Sequence, residues 1–143
     1  MERDWRPVLS FDRTMRYGGG IAMASEASHV RNVGRGPALN IRYLRRTRDA
    51  DIQWGVTKLF SLAGSGDTAD RPVWEDFDSL PSEPAEEIWG GLFPAATRVL
   101  VCQDQAGFVY RFVDPNPIPD VWQEGIEPKP AWVDWYHSWL ASD

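Results

Sequence analysis

Six arginines fall between residues 31 and 48, namely Arg31, Arg35, Arg42, Arg45, Arg46 and Arg48. A guanidinium grips phosphate or carboxylate with paired N–H donors, so such a cluster could hold a nucleotide-like anion or an acidic peptide. In an extended segment side chains alternate, which puts Arg42 and Arg46 on one face and Arg45 on the other. A second use for these charges is internal. Residues 1–48 hold ten arginines against four acids, whereas residues 49–143 hold five basic residues against seventeen acids. Regions so opposed attract each other within one fold, and we read most of the cluster that way. Arg31, Arg35, Arg42 and Arg46 stand as candidate ligand or partner contacts.

Tryptophan supplies the second set. The chain has eight, and Trp132, Trp135 and Trp139 recur near its end with Tyr136 and Leu140 at helical spacing. Such a stripe either docks a helix on its own domain or anchors a partner, and we expect docking. Other chemistries lack their residues. His29 and His137 are the only histidines, and no Cys-x-x-Cys or His-x-x-x-His spacing exists, so no metal site is expected. Cys102 is the single cysteine and sits in an apolar run, where a small buried hydrophobe is expected rather than a nucleophile. Gly18-Gly19-Gly20 and Gly64-Ser65-Gly66 complete neither a phosphate loop nor a dinucleotide fingerprint. Acid pairs such as Asp67/Asp70, Glu86/Glu87 and Asp114/Asp120 could serve a hydrolase or calcium, but their spacing suits solvated loops better. We expect no catalytic residue and no cofactor.

The elements that must position these residues read mainly as strands. At 143 residues the chain suits one domain, 1–143, with residues 1–6 as an N-terminal tail. Short strands are expected at Pro7–Asp12, Ile21–Val33, Ala38–Arg46 and Ile52–Leu62, the last with Ile52, Trp54, Val56, Phe60 and Leu62 on one face. Ala63–Pro72 and Leu80–Glu87 read as surface connections. Thr97–Gln103 and Phe108–Val113 read as a hairpin closed by Asp104-Gln105-Ala106-Gly107, a type I turn with a glycine bulge. That register puts Leu100, Cys102, Tyr110 and Phe112 on one face. Five prolines between Asp114 and Pro130 argue against a long regular element. The end, residues 131–141, reads as a helix.

The segment Asn32-Val33-Gly34-Arg35-Gly36-Pro37-Ala38-Leu39-Asn40-Ile41 resembles the N-x-G-x-G-P-A-x-N-hydrophobic hairpin of bacterial immunoglobulin-like β-sandwich domains. The later hairpin, from Asp104 through Gly107 to Tyr110 and Phe112, is similar too. The resemblance implies an antiparallel β-sandwich of about seven strands, here with an added C-terminal helix. It also implies a link to membranes, since such domains often follow transmembrane helices. Positive φ at Gly34 or Gly36 is the physical sense we give the tight connection, with the Asn32 and Asn40 amides satisfying loose backbone groups.

A net charge of −6 argues against a nucleic-acid polymer as partner. No apolar run of about 18 residues is present, so no membrane span is expected. The first seven residues lack the apolar core of a signal peptide, and one unpaired cysteine suits a reducing compartment, so the cytoplasm is the expected location. The expected function is a non-catalytic protein-interaction or sensor domain, monomeric or weakly self-associating. The alternatives are an anionic small-ligand domain and, behind it, a carboxylate-dependent hydrolase.

Overall fold

The computed structural model describes residues 5–18, 21–47, 52–70, 72–89, 98–114 and 116–142, with side chains described outside 12–28, 116 and 117. Along the chain run β1 (Leu9–Gly18), β2 (Ile21–Asn32), β3 (Leu39–Arg46), β4 (Trp54–Lys58), β5 (Asp67–Asp70), β6 (Asp78–Leu80), α1 (Ser82–Trp89), β7 (Arg98–Gln103), β8 (Val109–Val113), β9 (Asn116–Trp122) and α2 (Ala131–Ser142). The nine described strands form two antiparallel sheets, ordered β1-β2-β5 and β6-β4-β3-β7-β8-β9. The fold is a β-sandwich-like pair of sheets with a C-terminal helix, two strands richer than expected.

The six-stranded sheet is buried on both faces. One face meets the small sheet through Ile41, Tyr43, Leu100, Cys102, Tyr110 and Phe112, packed with Leu9 and Val30. The other meets the helices through Leu44, Val99, Val101 and Val113, packed with Ile88, Trp89, Trp132, Val133 and Tyr136. Burial on both sides explains why β7 reads as an unbroken apolar run from Val99 to Cys102 instead of alternating. The β7–β8 hairpin has the expected form. Asp104 N–H donates to the Phe108 carbonyl at 3.0 Å, Gly107 N–H donates to the Asp104 carbonyl at 3.1 Å, and Gly107 has φ +90°. The Asp104 carboxylate also accepts the Ala106 and Phe108 amides and the Tyr110 hydroxyl.

Several expectations need correction. The fourth strand is only Trp54–Lys58, and Phe60 is 88% exposed rather than turned inward. Asn40 takes a left-handed conformation (φ 51°) inside β3, where the pairing with β7 shifts register. Beyond that shift Leu59 N–H donates to the Ile41 carbonyl and Leu62 bridges Ala38. Leu62 is buried as expected, but it packs with Leu59 in the core between the sheets, whereas Trp54 and Val56 pack on the helix side. Ala63–Pro72 contains β5, an edge strand of four residues whose side chains give no apolar alternation. Leu80–Glu87 is not a surface connection, because most of it belongs to α1, which buries Pro84, Ala85, Ile88 and Trp89. Pro84 fits because first-turn amides have no carbonyl four residues back to bond. Asp114–Pro130 contains β9, whose Pro117 and Pro119 are tolerated on an edge strand with one neighbour.

The glycines of the tight connection are also used differently. Positive φ occurs at Gly66, Gly107 and Gly125, not at Gly34 or Gly36. Those two are small because the N-terminal segment crosses them: a Cβ on Gly34 would overlap the Arg6 carbonyl oxygen, and one on Gly36 would overlap that of Trp5. Asn32 ties the same crossing together. It is fully buried, its Oδ1 accepts from Val8 N–H and Gly34 N–H at 3.1 Å, and its Nδ2 donates to the Gly36 and Leu62 carbonyls. All its hydrogen-bonding capacity in view is spent on loop backbone.

Candidate functional site

The arginine cluster does not converge on one point. Arg31 is exposed on β2 of the small sheet, and Arg35 is exposed in the connection that leads from it to β3. Arg42 and Arg46 belong to β3 in the other sheet and are 4% and 9% exposed. Both lie on its helix side, since Arg42 pairs with Val101 and Arg46 with Trp54, which pack in that core. Arg46 Nη1 donates to the Thr47 carbonyl at 3.2 Å. Arg48 lies outside the described residues.

The C-terminal tryptophans lie on α2, which docks on its own sheet. Trp132 is buried, while Trp135 and Trp139 are half-buried. Tyr136 Oη donates to the Asn40 carbonyl at 2.8 Å, and Trp135 Nε1 donates to Glu87 on α1 at 3.2 Å. Arg111 joins the layers. Its Nε and Nη2 donate to Asp120 Oδ2 at 2.8 and 2.6 Å, its Nη1 donates to the Ile88 carbonyl at 2.7 Å, and its guanidinium stands 5.1 Å from the Trp132 ring. Of the residues singled out in the sequence, Arg42 and Trp139 are brought together. They line a small cleft of about 160 Å³ with Lys58 and Asp78.

A larger cleft, of about 420 Å³, opens at the far edge of the same sheet. Its walls include Trp54 and Gly55 of β4, Trp74 and Phe77 of the turn before β6, and all three residues of β6, Asp78, Ser79 and Leu80. Trp74 and Phe77 stack with ring centres 5.3 Å apart, and Phe77 meets Tyr43 edge-on at 5.7 Å. Gly55 makes the stack possible, since a Cβ there would come within 2.9 Å of Phe77 Cβ. Arg45 steadies the other end, its guanidinium 5.9 Å from the Trp74 ring. On the helix side Trp54 meets the buried Trp89 edge-on at 4.7 Å. These contacts hold three half-buried aromatic rings around the opening.

The segment that forms most of this cleft is acidic. Among the described lining residues Asp78 is the only ionisable one, and residues 72–89 carry Glu75, Asp76, Asp78, Glu83, Glu86 and Glu87 with no basic residue. All six acids are exposed. The sequence does not announce the site, because it is assembled from the start of an expected strand (Ile52–Leu62), the head of an expected surface connection (Leu80–Glu87) and residues 73–79, for which no element is expected. Its one visible signal is the aromatic pair Trp74 and Phe77, set among acids between Pro72 and Pro81.

The titratable interior is structural. Burial, with Asp104 nearby as a smaller cause, pushes the Cys102 thiol far above its ordinary range. Burial and the hydrogen bond to Asp104 do the same to Tyr110. Burial, then Lys129, lowers the His137 imidazole. Among the described residues no three His, Cys, Asp or Glu side chains gather as a metal site, and no helix is long and apolar enough to cross a membrane. Comparison with known protein families, with curated proteins and with solved structures returns no match.

Proposed function

We propose that this chain is a non-catalytic protein-interaction domain of the immunoglobulin-like type, working in the cytoplasm within a bacterial membrane-linked system. The observation that carries the interaction reading is the open aromatic cleft beside β6, an edge strand among the described residues. Half-buried aromatic rings in a concave, polar-rimmed patch are what a binding surface uses for anchoring. The immunoglobulin-like assignment rests on the two facing sheets and the Asn32–Ile41 hairpin motif. The cytoplasmic assignment rests on a lone buried thiol and on Arg3, Arg6, Arg13 and Arg16, which suit the inner side of a membrane if a spanning segment or partner precedes them. The anionic-ligand alternative is weaker, because Arg31 sits on the small sheet and Arg35 is exposed in the connection, whereas Arg42 and Arg46 are buried on the helix side of β3.

Photo-crosslinking tests the reading. A photoreactive residue replaces Ser79 in the cleft or, as control, the exposed Ser138 on α2, and the chain is expressed in its own host. A discrete polypeptide adduct from position 79 and none from position 138 is the expected result. No polypeptide adduct at 79, with saturable calorimetric heat on titrating nucleotides, would move the assignment to the anionic-ligand class.

A further inference from the structure

The cleft's geometry and charge point to a more specific occupant, and we propose that it takes an extended, Lys/Arg-containing peptide segment of a partner protein, added as a further strand beside β6. β6 is the terminal strand of the six-stranded sheet and pairs with β4; among the described residues no strand lies beyond it. All three of its residues line the cleft, and Asp78 and Ser79 are exposed. An edge strand carries a row of main-chain donors and acceptors on its outer side, which an incoming strand can pair.

Side chains of such a strand alternate between two faces. Here both faces offer aromatic surface: Trp74 and Phe77 on the small-sheet side, where Gly55 faces them, and Trp54 on the helix side with Leu80. A small rigid ligand would use one ring system, whereas a strand laid along β6 reaches both. Charge favours a basic segment. Asp78 lines the cleft, and the segment 72–89 that supplies most of its wall carries five further exposed carboxylates and no cation, a field that attracts lysine or arginine and repels an acidic segment. Of the cations nearby, Arg45 is placed over Trp74, and Lys58 and Arg42 line the adjoining small cleft with Asp78, which leaves the Ser79–Leu80 side of the opening without one among the described residues.

This occupant rests on the interaction-domain reading, but the two fail separately. A polypeptide adduct at position 79 with no binding of basic peptides would leave that reading standing and remove this one.

The experiment is calorimetric titration of the whole chain with a capped octapeptide of alternating Lys and Ile. The controls are its Glu/Ile counterpart and a Lys/Ile version N-methylated at alternate residues, which keeps charge and side chains but loses strand hydrogen bonds. We expect the Lys/Ile peptide to bind, and both controls to bind at least about tenfold more weakly. We expect Asp78→Lys to weaken binding by at least about tenfold with an unchanged melting temperature, and bound peptide to slow amide exchange across residues 78–80. If Asp78→Lys unfolds the chain, the double variant Glu75→Lys/Asp76→Lys carries the same comparison at two exposed positions between Trp74 and Phe77. Equal affinity for the N-methylated peptide would overturn strand addition, and equal affinity for the Glu/Ile peptide would overturn the charge selection. A dimer of the wild-type chain that Asp78→Lys dissolves would name a second copy as the occupant and overturn the partner assignment.

Discussion

Arg111 shows how one polar side chain can hold several elements in register. Its contacts differ in worth. The ion pair with Asp120 is exposed on the carboxylate side, 54% against 13% for the arginine, so it contributes at most about 1 kcal/mol. The bond to the Ile88 carbonyl and the contact over Trp132 are more sheltered, and losing a charged donor there costs roughly 1–3 kcal/mol. Arg111→Met should therefore lower unfolding free energy by roughly 2–4 kcal/mol, and Asp120→Asn by less than about 1 kcal/mol. Urea titration of the two variants decides the ranking, and equal losses would show that the ion pair dominates. Arg111 was not visible as a staple in the sequence, because its partners lie 9, 21 and 23 residues away on three different elements. Asn32 was more legible, since an amide inside a Gly-rich connection has loose backbone around it to bind.

At the scale of elements, α2 was the most legible and α1 the least. The stripe of Trp132, Tyr136 and Trp139 keeps helical spacing through twelve residues, and the helix runs over Ala131–Ser142 as that spacing implies. α1 is only eight residues long with a proline in its first turn, so its apolar positions, Ala85, Ile88 and Trp89, are too few to declare a period. Which tryptophan matters in α2 could not be read from spacing alone. Trp132 sits in the core and Trp139 at its margin. We expect Trp132→Ala to cost roughly 3–5 kcal/mol, the range for a buried tryptophan, and Trp139→Ala markedly less. Thermal unfolding of both, with light scattering, tests this. A larger loss at Trp139 would mean that the end of α2 is packed more tightly than its exposure indicates.

For the whole molecule, the expectation of two facing sheets held, because alternation in β3 and the β7–β8 hairpin are local signals. The edges were misjudged, because β5 and β6 owe their pairing to strands distant in sequence, and β9, although it follows β8 directly, is broken by prolines; none carries much pattern of its own. The central strand β7 also offers a probe of global integrity. Cys102 is fully buried between the sheets and its thiol is held protonated by that burial. A thiol reagent at pH 8 should therefore react about 10³-fold or more slowly with the native chain than with the urea-unfolded one, following the fraction unfolded. Fast native labelling would reveal local opening of β7. The neighbours of β7 carry one more consequence. It is flanked by β8, a short hairpin away, and by β3, where Leu39 pairs with Gln103 across 64 residues of chain. The hairpin can close early, but the β3–β7 ladder must wait for a large loop that encloses β4, β5, β6 and α1, so the middle of the sheet is the last seam to zip and sets the pace of folding.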